Sequence, residues 1–305
     1  MTAWAHQARR WFDTSGHVPG LIAGTVLLLA LALQVAGPAI EGLSTAARGA
    51  SPLTLALAGA SGAALATALG ALPALLLRKI PQRLEDMMLG FAGGVMLAAS
   101  AFSLIVPSID AGTDLFGGKV PAALLAAFGL GAGAALMVGI ERALPHEHPH
   151  AGRKGAPSKL ARVWLLVLAI LIHNFPEGMA IGVAFWGSDP LAGIPIATAI
   201  AIQDMPEGLV VALALRAIGY GPGRAVIAAA ATGLAEPLGA ATASLVLALL
   251  PSFYPFGLAL AAGAMLFVVS HEVIPETHRN GHQMPATLGL MGGFAVMMVL
   301  DNALG

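Results

Sequence analysis

The chain contains no cysteine. That excludes disulfide frameworks, thiolate zinc fingers and iron–sulfur sites together. Charge is nearly as scarce. Only 10% of residues are charged, where a soluble domain carries about 25%, so a water-soluble fold is all but excluded. Fifteen Lys and Arg against sixteen Asp and Glu leave a net charge of −1. No basic excess is present to bind nucleic acid. Aromatic residues make up only 6%. What fills the 305 positions is apolar: 57% are hydrophobic, and 38 glycines sit mostly inside the apolar runs. Small residues let membrane helices approach closely, so the composition predicts an all-α integral membrane protein.

A spanning helix needs about 20 mostly apolar residues. Nine stretches qualify: 18–38, 53–77, 86–107, 119–143, 160–186, 191–215, 224–249, 254–278 and 284–304. With the N-terminus inside, thirteen of the fifteen cations fall on inner segments, and only Arg48 and Lys119 fall outside. That asymmetry is what the positive-inside rule demands. Nine spans then put residues 1–17 in the cytoplasm and the C-terminus in the periplasm. Arg9-Arg10 ahead of an apolar run also resembles a signal peptide, but apolar character continues past Ala32 and favours an uncleaved span.

Spans five and six carry a repeat. His173-Asn174-Phe175-Pro176-Glu177-Gly178 is echoed thirty residues on by Gln203-Asp204-Met205-Pro206-Glu207-Gly208. Residues i, i+3 and i+4 share a helix face, which aligns His173 with Glu177 and Asn174, and Gln203 and Asp204 with Glu207. A proline inside a helix removes one amide donor and frees a carbonyl one turn back. The spacing therefore predicts helix breaks at Pro176 and Pro206. Such breaks need a polar cavity or neighbouring groups to satisfy the backbone. Gly178 and Gly208 allow close helix contact.

Glu236-Pro237 interrupts the seventh span, and His271-Glu272 and Pro275-Glu276 the eighth. At about 2.5–3.5 kcal/mol per mid-membrane charge, Glu177, Asp204, Glu207 and Glu236 together cost on the order of 10–14 kcal/mol. That rivals the whole stability of a typical domain, about 5–15 kcal/mol. The Lys and Arg of these helices stand only at their inner ends, so the charge that compensates the carboxylates deeper in must be bound. Two divalent cations would neutralise four carboxylates. Carboxylate and amide oxygens with one imidazole suit Zn²⁺, Cd²⁺ or Fe²⁺ better than Cu⁺, and His173 argues against Mg²⁺ or Ca²⁺. Protons should compete with metal for the same oxygens.

The paired hexads resemble the signature of the ZIP (Zrt/Irt-like) divalent metal transporters, and of their bacterial members in particular. In that family they lie on the fourth and fifth of eight spans. Residues 53–305 then correspond to the family's transporter domain, and span 18–38 is an N-terminal addition. The resemblance implies an eight-span bundle with inverted repeats, in which the first three and last three spans flank the hexad helices. It implies passage of Zn²⁺, Cd²⁺, Fe²⁺ or Mn²⁺ into the cytoplasm as bound substrate rather than catalyst. It further implies a binuclear site of His173, Asn174, Glu177, Gln203, Asp204, Glu207 and Glu236, an elevator-like movement of one helix bundle against another, a homodimer and a bacterial inner membrane. It places Met96 near the metal's entrance, as a transient ligand. It also gives loop 144–159, with His146, His148 and His150, the position of a variable, His-rich cytosolic loop. The sequence departs at Gln203, where many members carry His, which leaves one sub-site weaker or differently selective.

Other positions have plainer readings. His271, Glu272 and Glu276 either line an exit path or face inner water. Glu141 and Asp86, at inner helix ends, are expected to be solvated. The 146–150 histidines form either a solvated loop or a metal-sensing contact. Two other classes remain open. A zincin-like intramembrane hydrolase would use His271-Glu272, but the motif needs a second His four residues after the first, and position 275 is Pro. A carrier of an organic solute would want an intramembrane cation for an acidic substrate and more aromatic surface.

Overall fold

The computed structural model describes residues 49–143, 159–187, 189 and 192–304. Segment 1–17, span 18–38 and the loop histidines 146, 148 and 150 lie outside the described residues. Among the described residues, eight helices are long and apolar enough to cross a membrane, and they coincide with the spans expected after residue 53.

The first span is α1 (Pro52–Ala71), continued by a 3₁₀ turn at Leu72–Leu75. Ser51 caps it, its hydroxyl accepting from the Thr54 amide at 3.1 Å, and Pro52 sits where its missing N–H costs nothing. The second span is α2 (Gln82–Ala98), a π-helical stretch (Ala99–Ile105) and α3 (Val106–Phe116). It ends at Gly117, whose φ of 71° favours glycine. The third is α4 (Lys119–Ala143), the fourth α5 (Lys159–Ala184) and the fifth α6 (Gly193–Ala217). The sixth is split into α7 (Pro222–Thr232) and α8 (Ala235–Leu249). The seventh is α9 (Tyr254–Val268), a second π stretch (Val269–Val273) and α10 (Ile274–His278). The eighth is α11 (Gln283–Leu304).

Alternation of eight spans gathers Arg78, Lys79, Arg83, Arg142, Arg216, Arg224 and Arg279 at one end of the bundle, and leaves Lys119 at the other. Large apolar side chains such as Val120, Phe128, Ile227, Leu245 and Leu249 cover the outside. This is the surface a lipid-facing bundle presents. The fourth and fifth spans are the most enclosed, 67% of the most apolar 18-residue stretch of each being buried. The centre of the fold is therefore the hexad helices.

Packing follows an inverted repeat. α1 lies along α6 and α8 along α5, while α2 lies along α11 and α9 along α4. Exchanging spans one to three for six to eight, and four for five, maps each pair onto another. The repeat is visible residue by residue. Gly70 meets the backbone of Met205, and Gly239 meets that of Phe175; Gly208 meets Thr67, and Gly178 meets Glu236. Thr67 and Glu236 stand 169 residues apart, and the same separation relates Gly70 to Gly239 and the first π stretch to the second.

The proline expectation needs correcting. Pro176 and Pro206 lie inside uninterrupted α5 and α6. The four glycine contacts just named bracket both prolines and hold the turns helical, so tertiary packing overrides local preference. The break falls instead at Gly233-Leu234, where the Glu236 amide donates to the Gly233 carbonyl at 3.1 Å. Pro237 thereby occupies the first turn of α8, where proline is tolerated.

Candidate metal centre

Each of the central helices delivers polar side chains into the buried interior. α5 brings Asn174 and Glu177, α6 brings Gln203, Asp204 and Glu207, and α8 brings Glu236; all six are buried. One carboxylate oxygen each from Glu177, Asp204 and Glu207 lies within 4.8 Å of the others, a spacing that can hold a metal ion. The hexad spacing had placed these groups on facing helix surfaces, and the structure brings them together.

The hydrogen bonds in this region divide the oxygens. Gln203 Nε2 donates to Glu177 Oε1. Asn174 Nδ2 donates to Glu236 Oε1 at 3.5 Å, and Thr67 Oγ1 reaches the same oxygen at 3.4 Å. The other glutamate oxygens, Glu177 Oε2 and Glu236 Oε2, are buried without a hydrogen-bond partner. So are Asn174 Oδ1, Gln203 Oε1 and both oxygens of Asp204. Six buried atoms are thus left over, and every one is an acceptor. Buried polar groups are ordinarily satisfied, and unpaired buried charge is costly. Among the described residues, none of the four carboxylates pairs with Lys or Arg. The arrangement suits a small, hard or borderline cation.

His173 is placed differently from the expectation. It is buried beside the cluster, but its Nε2 lies 2.8 Å from Oε2 of Glu272, on the second π stretch. The fourth span's imidazole is thereby tied to the seventh span. Glu272, expected either to line an exit path or to face inner water, here touches the imidazole beside the cluster. His271 stacks on Phe267, centroids 5.0 Å apart, with Nε2 4.0 Å from Glu141 Oε1. Glu276 is part-exposed and pairs with Arg279 at 3.2 Å. Met96 is buried in α2, a helix packed against α6; its carbonyl accepts from Ser100 at 2.8 Å.

Two readings of solvated helix ends are overturned. Glu141 is buried and faces His271. Asp86 is buried as well, accepting from Asn280 Nδ2 at 3.0 Å and Gln82 Nε2 at 3.1 Å, with His282 Nδ1 at 2.8 Å. It fastens the turn between α10 and α11 to the start of α2. The burial is not legible along the chain, because Asn280 and His282 lie 194 and 196 positions away. Thr67 was missed for the same reason: it stands on a helix with no other buried polar side chain.

Fold and site together define a multi-pass membrane protein with a buried cluster of carboxylate and amide oxygens between its two central helices. Comparison with known sequences agrees. The sequence model described as ZIP Zinc transporter matches residues 141–301. The zinc transporter ZIPB of Bordetella bronchiseptica is 54% identical over 99% of this chain and 96% of its own length. The zinc transporter GufA of Myxococcus xanthus is 42% identical over 80% of this chain and 96% of its own. The human zinc transporter ZIP11 is 31% identical over 78% and 94%. The chain belongs to the ZIP family. That is a family of transporters, and the hydrolase alternative falls away.

Proposed function

We propose that this protein carries divalent transition metal ions, Zn²⁺ foremost and Cd²⁺, Fe²⁺ or Mn²⁺ beside it, across a membrane into the cytoplasm. The observation that carries this reading is the set of six unpartnered buried oxygens around Glu177, Asp204 and Glu207. The relatives are zinc transporters by name, which supports the choice of metal. Water would be shed at the outer mouth and replaced by carboxylate and amide oxygens. Two sub-sites fit the distribution: Glu177, Asp204 and Glu207 form one group of ligands, and Glu236 with Asn174 extends the set towards α8. His173 then joins the metal or returns to Glu272. Paired metals also balance four carboxylates.

An elevator-like movement is supported by where the tight contacts lie. Spans one, four, five and six pack as one group, and spans two, three, seven and eight as another. Among the described glycines, close backbone-to-backbone approaches fall within a group, as at Gly94 with Leu290 or Gly133 with Leu260. Across the groups, Gly257 faces only the side chain of Val183, at 3.5 Å. Interlocked backbones move as a unit, and side-chain surfaces slide. The similarity to bacterial relatives supports an inner-membrane location, and the resemblance to the family supports a homodimer.

The test is time-resolved uptake of Zn²⁺ and Cd²⁺ into proteoliposomes holding a metal-sensitive dye. Protein-dependent uptake is expected. Folded protein that moves neither metal would refute the reading.

A further inference from the structure

α1 carries a single buried polar side chain. Thr67 is fully buried. Its hydroxyl has one proton and two acceptors in reach, Ala63 O and Glu236 Oε1, each at 3.4 Å. Its backbone is fixed: the Thr67 carbonyl lies where a Cβ on Gly208 would be, and Gly70, one turn on, is held against Met205. Its hydroxyl also faces the break in the sixth span, 3.1 Å from where a Cβ on Gly233 would stand. The inverted repeat makes Thr67 the counterpart of Glu236. A carboxylate at both positions would set two like charges face to face. A hydroxyl at one of them replaces that repulsion with a hydrogen bond.

We infer that Thr67 is a positioning residue for metal binding: with Asn174 it holds Glu236 Oε1, and so presents Glu236 Oε2 to the metal. This rests on the transport reading and deepens it. Groups that orient a metal ligand commonly matter nearly as much as the ligand, and their loss costs about 10–100-fold in metal affinity. Thr67 thereby tunes the sub-site nearest α8 without touching the ion, and links it to the helix that packs along α6.

The experiment measures Zn²⁺ affinity of the purified full chain by competition with a chelating dye. Thr67→Val keeps the shape and removes the hydroxyl, so affinity should fall about tenfold. Thr67→Ser keeps the hydroxyl and should bind close to wild type. In a Glu236→Ala background, Thr67→Val should weaken binding no further, because the carboxylate it orients is gone. Thr67→Ala is the second variant should valine unfold the protein, and it should behave as valine does. Unchanged affinity in folded Thr67→Val, a serine variant as weak as valine, or an equal loss in the Glu236→Ala background would each overturn the inference. Wild-type protein that binds no Zn²⁺ would overturn the transport reading beneath it, a failure visible before any variant is made.

Discussion

Gly178→Ala is a small change with a large expected effect. The added methyl would sit on the backbone of Glu236, meeting its Cα and carbonyl carbon at 2.6 Å, where ordinary contact is 3.4–4 Å. Backbone cannot rotate away as a flexible side chain can. α8 must therefore retreat from α5 by about 1 Å, since the interior has no free volume to absorb a methyl. Overpacking of this kind costs about 1–3 kcal/mol of stability. The retreat also carries Glu236 out of position, and a displacement of about 1 Å in a tuned site costs up to about a hundredfold. Gly139→Ala is the matched control. It lies on α4 with nothing within 4 Å of the new methyl. The helix should gain about 0.5–1 kcal/mol there from alanine's better propensity. The assay is thermal unfolding of both variants in one detergent, followed by Zn²⁺ uptake. Gly178→Ala should unfold earlier and lose most of its transport; Gly139→Ala should do neither. Equal behaviour of the two would refute the claim that the glycine seam positions the site.

Three further outcomes are expected. Glu177→Ala and Glu207→Ala should abolish uptake, while Lys119→Ala, exposed at the opposite end from the basic cluster, should retain it; matched flux in all three would sink the site assignment. Glu236→Ala should lower the number of Zn²⁺ ions bound at saturation from two to one, read by metal analysis after gel filtration, and an unchanged count would rule out the second sub-site. Metal must displace protons from carboxylate oxygens before it binds, so Zn²⁺ affinity should fall as pH is lowered through the range of about 8 to 5; a flat profile would show that protons do not compete.

Sequence carried the spans because a membrane leaves few alternatives. Backbone groups must be satisfied within each helix, so apolar length and turn residues locate the crossings within a few positions. The hexads carried the carboxylate cluster because identical spacing on two adjacent helices fixes which faces meet. The rest depended on contacts between distant segments. Proline rules pointed to Pro176 and Pro206, yet glycine contacts from α1 and α8 hold those turns helical and the break moved to Gly233. Asp86 and Glu141 looked solvated because they stand at helix ends, where a single span offers no sign of partners on another. His173 meets Glu272, on the π stretch of the seventh span, a contact between helices about a hundred positions apart that no local pattern announces. Thr67 is an ordinary threonine in an alanine-rich helix until the inverted repeat sets it opposite Glu236.

The central claim is that the transported ion rests on the buried oxygens of α5 and α6. Anomalous diffraction from crystals soaked in Cd²⁺ tests it directly. The account predicts a strong peak bounded by Glu177, Asp204 and Glu207, with a second towards Glu236 and Asn174. Ordered Cd²⁺ elsewhere in the protein, with none among these carboxylates, would contradict it.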